Sequence, residues 1–324
     1  MCSQRVFGSA RLSPRSASLV AIGNFDGVHR GHQAVISQAL ELARNESLVP
    51  LVLTFDPHPA VVLGRGTRPP LTPLERKLEL LERMSPELRV VVEPFTLELA
   101  RTEPAEFARR LLAEALNAKL VLVGENFRFG RARAGDFAGL AQLGSELGFR
   151  ARAASLESDA RGPFSSTRVR AALEQGELGE VEALLGRPHA LSGVVVTGQG
   201  RGRSIGIPTA NLDGLSEALP PHGVYAVVVD EQRDGKHVAL GTGVANFGVR
   251  PTLGAGPSFE VHLFDFSADL YGKRLRVHLC ARLREERKFA GIDELVAQIA
   301  RDAEAARALT AARKPDPRAL GAWY

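Results

Sequence analysis

The chain has 324 residues, 44% of them apolar and 24% charged, with a formal net charge of +4 at pH 7. That is an ordinary soluble-protein balance, and the length suits two domains because single cores rarely keep growing beyond ~250–300 residues. It excludes collagenous, low-complexity and disulfide-stapled classes. The small positive excess hints at anionic ligands. With aromatics at only 6% and arginines scattered among acids, it does not form the basic, aromatic-interleaved stripe of a nucleic-acid binder.

Cys2 and Cys280 stand in no CxxC or Cys/His zinc spacing. The opening MCSQRVFGSARLSPRSAS lacks the apolar stretch of a signal peptide, and no run approaches the ~20 apolar residues of a membrane helix. A cytoplasmic protein that neither enters a membrane nor binds nucleic acid is expected.

In chain order, Leu19–Gly23, Pro50–Phe55, Leu88–Phe95 and Lys119–Asn126 are short Val/Leu/Ile runs bounded by turn residues, which predicts strands buried on both faces. Between them Gly31–Asn45, Thr72–Met84 and Pro104–Asn117 carry helical spacing. Thr72-Pro73-Leu74-Glu75 reads as a capping box with proline at the first helical position. Strand–helix alternation implies a doubly wound parallel sheet, whose ligands sit beyond the carboxyl ends of the strands. GNFDGVHRGH (Gly23–His32), TFDPHP (Thr54–Pro59) and GENFRFG (Gly124–Gly130) fall there.

The character changes at Gly186-Arg187-Pro188. From His189 onward, Leu191–Gly198, Gly223–Asp230, His237–Asn246, Ser258–Phe266 and Leu275–Leu283 are short β runs closely punctuated by turns, an antiparallel barrel or sandwich. A helix follows at Ile292–Leu309. A polar tail, Thr310–Tyr324, is predicted to be less ordered.

In GNFDGVHRGH, Gly27 and Gly31 permit close backbone approach. His29 and His32, three apart at a helix start, share a face with the unpaired N–H groups and positive dipole end that suit phosphate. A metal site lacks a third ligand, and a bare turn with two histidines remains open. FSSTRVR (Phe164–Arg170) is a hydroxyl-rich helix start, by itself an N-cap. GVVVTGQGRGRSIGIPTANL (Gly193–Leu212), with Arg201 and Arg203, is a flexible basic loop that matches neither a Walker A sequence nor a full GxGxxG. Glu260 alternates with apolar residues, as a solvent-facing carboxylate on a strand would. The Gln298–Arg307 segment reads as an amphipathic helix with a structural role.

Taken together and in order, these segments resemble the prokaryotic bifunctional riboflavin kinase/FAD synthetase family from about Leu19 to Arg307. GNFDGVHRGH resembles the HxGH signature of nucleotidylyltransferases, GIPTAN the Gly-x-Pro-Thr-Ala-Asn motif of riboflavin kinases, and ANFGVRPT (Ala245–Thr252) the family's Asn-Ile-Gly-x-Arg-Pro-Thr, with Phe247 for isoleucine. The resemblance implies a Rossmann-like adenylyltransferase domain at residues 1–186 and an antiparallel β-barrel kinase domain with a terminal helix at 187–324.

In the first domain it implies ATP bound by Gly23, Phe25, Asp26, His29, Gly31, His32, Ser165, Ser166, Thr167 and Arg170, with the two histidines on the phosphates. Flavin would be bound by Asp56, Pro57, His58, Asn126 and Phe127. Many members carry aspartate where this chain has Asn126. In the second domain the resemblance implies ATP at Gly198, Arg203, Gly206, Pro208, Thr209 and Asn211, Mg²⁺ on Thr209 and Asn211, and Glu260 as catalytic base. The substrates and products would be riboflavin, FMN, FAD and ATP. The alternatives are a single-activity enzyme with one module kept as scaffold, or a non-catalytic flavin- or RNA-binding protein. A homo-oligomer is left open.

Overall fold

The computed structural model describes residues 5–9, 16–64, 68–155, 157–198, 202, 206–233, 236–249, 257–316 and 322–324. Arg201, Arg203 and the 250–252 end of ANFGVRPT lie outside them. Contacts divide the chain into two units, Met1–Arg68 with Thr72–Ser165, and Pro69–Leu71 with Ser166–Tyr324.

The first unit runs β1 (Arg5–Phe7), β2 (Ser18–Ile22), α1 (Arg30–Asn45), β3 (Val49–Asp56), α2 (Pro59–Val62), α3 (Leu74–Glu82) and β4 (Arg89–Pro94). It continues through α4 (Leu97–Arg101), α5 (Pro104–Phe107), β5 (Ala118–Val123), α6 (Phe137–Leu147), β6 (Arg150–Ala153) and a small hairpin, β7 (Ser158–Asp159) with β8 (Gly162–Pro163). The sheet is parallel in the order β1-β4-β3-β2-β5-β6.

Strand alternation divides its apolar runs between two cores. Leu19, Ala21, Val52, Val90, Val92, Leu120 and Leu122 pack with Ile36, Ala39 and Leu40 of α1 and Leu78 and Leu81 of α3. Val20, Ile22, Leu51, Leu53, Val91, Val121 and Val123 pack on the other face with Phe107, Leu111, Leu112 and Leu140. This is why the strand sequences are continuously apolar instead of alternating. The edge strands β1 and β6 each pair with one neighbour and carry arginines, so they have no such run.

Two local expectations are corrected. The capping box does not form: α3 starts at Leu74 with Pro73 at its N-cap and no side-chain cap. Thr72 is buried, and its N–H donates to Asp26 Oδ1 at 3.3 Å, so tertiary structure claims the residue that would have capped. The third helix is not one regular α-helix, because α5 passes into a π-helical segment at Ala108–Ala115.

The second unit opens with α7 (Ser166–Gln175) and α8 (Leu178–Leu185), which ends on Gly186 in the left-handed region (φ 73°). That turn coincides with the compositional break at 186–188. Six strands follow, β9 (His189–Val196), β10 (Ala210–Asp213), β11 (Gly223–Arg233), β12 (Lys236–Val249), β13 (Pro257–Leu263) and β14 (Arg274–Arg284), then α9 (Ile292–Thr310). They close into a barrel, β9-β10-β13-β12-β11-β14, which decides between barrel and sandwich. The loop expected to reach Leu212 stops short because β10 pairs with both β9 and β13 and completes the ring.

The end of the polar tail is not loose. Trp323 is 6% exposed, donates its backbone N–H to Asp230 Oδ1 (2.9 Å) and donates its indole N–H to the Val229 carbonyl (3.1 Å). It packs with Val228 and Cys280, and Ala306 of α9 packs on Ala226. Ala226 and Val228 share one face of β11, so the helix and the end of the tail cover that outer face together, and the strand is buried from Gly223 to Glu231.

Two candidate active sites

The sheet order reverses beside β2: the chain moves outward through β3 and β4, then returns to place β5 on the other side of β2. The crevice at the carboxyl ends of β2 and β5 is the switch point where open α/β sheets bind ligands. The chain leaves β2 there through a turn with three left-handed residues, Phe25 (φ 50°), Gly27 (φ 85°) and Val28 (φ 41°).

His29 caps α1. It is 5% exposed, and its Nδ1 accepts the His32 N–H at 3.3 Å. The two imidazoles stack, with centroids 3.6 Å apart, and the edge of Phe25 meets His32 at 5.1 Å. His32 Nδ1 is buried with no hydrogen-bond partner among the described residues. Burial, then the neighbouring His29 and Lys77, push the His32 pKa well below its usual value. His32 is therefore neutral at pH 7, with a ring nitrogen left over for a ligand. A Cβ on Gly31 would stand 3.0 Å from the Phe164 carbonyl and 3.2 Å from the His29 ring, so the absent side chain is what keeps this corner open.

Beside this turn lies a cavity of about 430 Å³ lined by Gly23, Asn24, Phe55, His58, Phe95, Asn126, Phe127 and Phe129, among others. Phe127 and Phe129 stack (5.4 Å), and Phe55 meets Phe95 edge-on (5.9 Å). Of the residues expected at a flavin, His58, Asn126 and Phe127 line the cavity with Gly23. Asp56, the last residue of β3, and Pro57 after it adjoin the lining residues Phe55 and His58 in sequence but do not line it. His58 Nδ1 also caps α2, accepting the Ala60 N–H at 3.1 Å.

Phe25 is 2% exposed, a core residue that supports His32, and Asp26 binds the Thr72 N–H. Ser165 closes the first unit, while Ser166, Thr167 and Arg170 begin α7 in the second. Arg170 Nη1 donates to the Pro69 carbonyl at 2.8 Å.

In the barrel, register does what the sequence could not display. Asn211 on β10 faces Glu260 on β13, and Glu260 faces Asn246 on β12. Directly opposed residues project to the same side, so these three polar groups form one row across three strands. Glu260 accepts from Thr209 Oγ1 (3.3 Å) and from Ser258 Oγ (3.2 Å). Asn211 lies against Gly198, where a Cβ would come within 2.3 Å of its Nδ2. His262 Nδ1 lies 2.8 Å from the Pro208 carbonyl, and Gly206 has a left-handed φ of 77°.

Two cavities meet at Thr209. One, about 470 Å³, is lined by Thr209, Val224, Val244, Asn246, Glu260 and His262, by Arg284, Glu286, Arg287 and Phe289, and by Ile292, Leu295 and Ile299 of α9. The other, about 460 Å³, is lined by Pro208, Thr209, Ala210, the alternate β13 residues Val261 and Leu263, and the segment Phe266–Tyr271. Glu260 is therefore a cavity carboxylate and not a plain surface one. The terminal helix, expected to be structural, also contributes a cavity wall.

Several site-lining residues gave no local signal. Phe55 and Phe95 sit at strand ends that look like any apolar run. Lys77 looks like the solvated face of an amphipathic helix, yet it is 7% exposed with its ammonium where β2 and β3 end. Asn246 would have been found by asking what register places opposite Glu260.

A doubly wound unit with paired histidines over its switch point, joined to a closed barrel with a hydroxyl, amide and carboxylate between two cavities, defines a two-module nucleotide-handling protein. Sequence models of FAD synthetase and riboflavin kinase match residues 12–168 and 185–310. The bifunctional riboflavin kinase/FMN adenylyltransferase of Escherichia coli K12 is 40% identical over 309 residues, 94% of this chain and 96% of that one. That of Pseudomonas fluorescens is 41% identical over 312 residues (95% and 98%), and that of Bacillus subtilis 37% over 301 (90% and 92%). A crystal structure described as a macrolide-efflux protein from Streptococcus pneumoniae is 30% identical, with a TM-score of 0.83, covering 94% of this chain and 99% of its own. Among the described residues no helix is long and apolar enough to cross a membrane. The chain belongs to the bifunctional riboflavin kinase/FMN adenylyltransferase family.

Proposed function

We propose that residues 187–324 phosphorylate riboflavin to FMN and that residues 1–186 transfer AMP from ATP to FMN, giving FAD and pyrophosphate. The observation that carries the kinase assignment is Thr209, which lines both barrel cavities and donates to Glu260. A cavity of about 470 Å³ lies within the ~300–1,000 Å³ range of small-molecule sites. Its Val224, Val244, Leu295 and Ile299 walls suit a flat isoalloxazine ring, with the ribityl chain directed at Glu260. ATP takes the second cavity, and the two substrates meet at Thr209.

The kinase nucleophile is an alcohol, which must lose its proton as it attacks the γ-phosphorus. Glu260, within reach of Thr209 and Ser258, is placed to accept that proton. Magnesium fits the donors present: the Thr209 hydroxyl and the Asn211 amide oxygen are hard ligands beside a carboxylate, and the absent Cβ of Gly198 makes the seat for the Asn211 amide. When bound there, the ion neutralises phosphate charge.

Adenylyl transfer needs no such base. The FMN phosphate, with a second pKa near ~6, attacks the α-phosphorus as an anion, and the bond to pyrophosphate breaks. The work left to the protein is alignment and charge stabilisation. Neutral His32 with its open Nδ1, His29 and the α1 N-terminus supply these, with FMN's ring between the Phe55/Phe95 and Phe127/Phe129 pairs. The protein acts on small molecules in the cytoplasm.

The test is chromatography of flavins after incubating the purified chain with riboflavin, ATP and Mg²⁺. FMN followed by FAD is expected, and neither should form in EDTA. FMN without FAD would remove the adenylyltransferase assignment, and a reaction insensitive to EDTA would remove the metal.

A further inference from the structure

The group least explained by the mechanism above is Lys77. It belongs to α3 and is 7% exposed, yet it makes no ion pair within 4.0 Å among the described residues. Its Nζ donates to the Asn24 carbonyl (3.1 Å) and to Thr54 Oγ1 (3.4 Å), and that hydroxyl donates to the same carbonyl (3.2 Å). The triangle sits where β2 and β3 end, at the first residues of the loop carrying both the cavity wall (Gly23, Asn24) and the histidines.

A satisfied carbonyl does not need a buried ammonium, because the Thr54 hydroxyl already serves it. Removing an unpaired ammonium from water costs several kcal/mol. Burial accordingly lowers the Lys77 pKa, with Asp26 and Asp56 pulling it back. A fold that retains this charge beside a site for anionic phosphates is using it.

We propose that Lys77 is a positioning residue for adenylyl transfer: it pins the Asn24 carbonyl, and so the strained turn from Gly23 to His29, and brings a buried positive charge to the turn that leads into His32. Non-glycine residues with left-handed φ persist only where surrounding bonds over-determine them. The bonds in this turn include Lys77 and Thr54 on Asn24, Thr72 on Asp26, the Val28 N–H on the Phe25 carbonyl (3.1 Å), and the Gln33 side chain on the Val28 carbonyl (2.8 Å). The charged or titratable groups acting on His32 are His29, from the turn, and Lys77, from α3. Asp26, from the turn, and Asp56, the last residue of β3, act on Lys77 in turn.

This inference rests on the adenylyltransferase reading, and the experiment separates the two. FAD formation from FMN is measured against pH for the full-length wild type, Lys77→Met and Lys77→Gln, with riboflavin phosphorylation and thermal unfolding recorded on the same preparations. If the wild type makes no FAD, the reading of the site fails. If it does, Lys77→Met should lose about 10²-fold in kcat, more than any change in KM, with kinase rate and Tm held and the acid limb moved to higher pH. Lys77→Gln, which can still donate to Asn24 but carries no charge, should recover much of kcat at alkaline pH and keep the displaced acid limb. A purely structural lysine would instead lower Tm and FAD formation together and leave the acid limb where it was. That result, or an unmoved acid limb in both variants, overturns the proposal. If Lys77→Met does not fold, Lys77→Gln alone decides by its acid limb.

Discussion

His29 does two jobs that substitution can separate. Its Nδ1 accepts the His32 N–H, making it the N-cap of α1, and its ring stacks on the second histidine of the site. Replacing an N-cap acceptor with alanine costs ~1 kcal/mol, whereas asparagine is itself a strong cap. His29→Asn is therefore expected to keep the wild-type Tm while losing ~10²–10³-fold in FAD formation from FMN. His29→Ala should lose the same activity together with ~1 kcal/mol of stability in the first unit. Differential scanning calorimetry beside the FAD assay checks both, and an active His29→Asn would show that the cap alone is required. Lys77 belongs at the same scale but was hidden for a different reason. The i, i+3, i+4 pattern of Leu74, Leu78 and Leu81 describes the face of α3 that builds the core. It carries no information about what the helix finds when its next residue points at a strand end.

At the scale of elements, the strands buried on both faces were legible because each is a continuous apolar run, and α1 and α9 because their spacing is regular. What was not legible came from competition between neighbours. Thr72 is a cap by local preference, but Asp26 takes its N–H. Ala210–Asp213 is too short and too close to a glycine loop to read as a strand, yet β9 and β13 leave a gap that only it fills. The tail reads as polar up to its last residues, and its fate is set by β11, whose outer face would otherwise expose Val228 and Asp230.

That clasp has a pH signature. Burial alone would raise the Asp230 pKa. Its hydrogen bond to His278 (2.7 Å), the Trp323 N–H and nearby Arg276 more than reverse this and leave it below the ordinary carboxylate value. A carboxyl depressed in the folded state contributes stability that is present above its unfolded pKa of ~3.9 and is lost as pH falls through the folded value. Barrel stability should therefore decline below about pH 4. Asp230→Asn should remove that dependence while lowering stability at neutral pH. Trp323 is the single tryptophan in the chain, so its fluorescence reads the clasp directly. An acid limb that survives in Asp230→Asn would assign it to another carboxylate.

For the whole molecule, the decisive fact is that each cavity is built by one unit. The residues around the Phe55–Phe127 cavity fall between Gly23 and Arg133, and those around the two barrel cavities between Val195 and Ala303. FMN is the product of one reaction and the substrate of the other. Two crippled chains should therefore complement each other. His29→Asn should still convert riboflavin to FMN and stop there. Glu260→Gln, which keeps the shape of the side chain but not its basicity, should convert supplied FMN to FAD and leave riboflavin untouched. Mixed with riboflavin, ATP and Mg²⁺, the pair should produce FAD after a lag during which free FMN accumulates, because FMN must leave one chain and bind another. Raising the concentration of the Glu260→Gln chain should shorten the lag in proportion. If each variant keeps its own reaction and the mixture yields FMN without FAD, FMN does not pass through solvent at a useful rate, and the two cavities must be served by a route confined to a single chain or assembly.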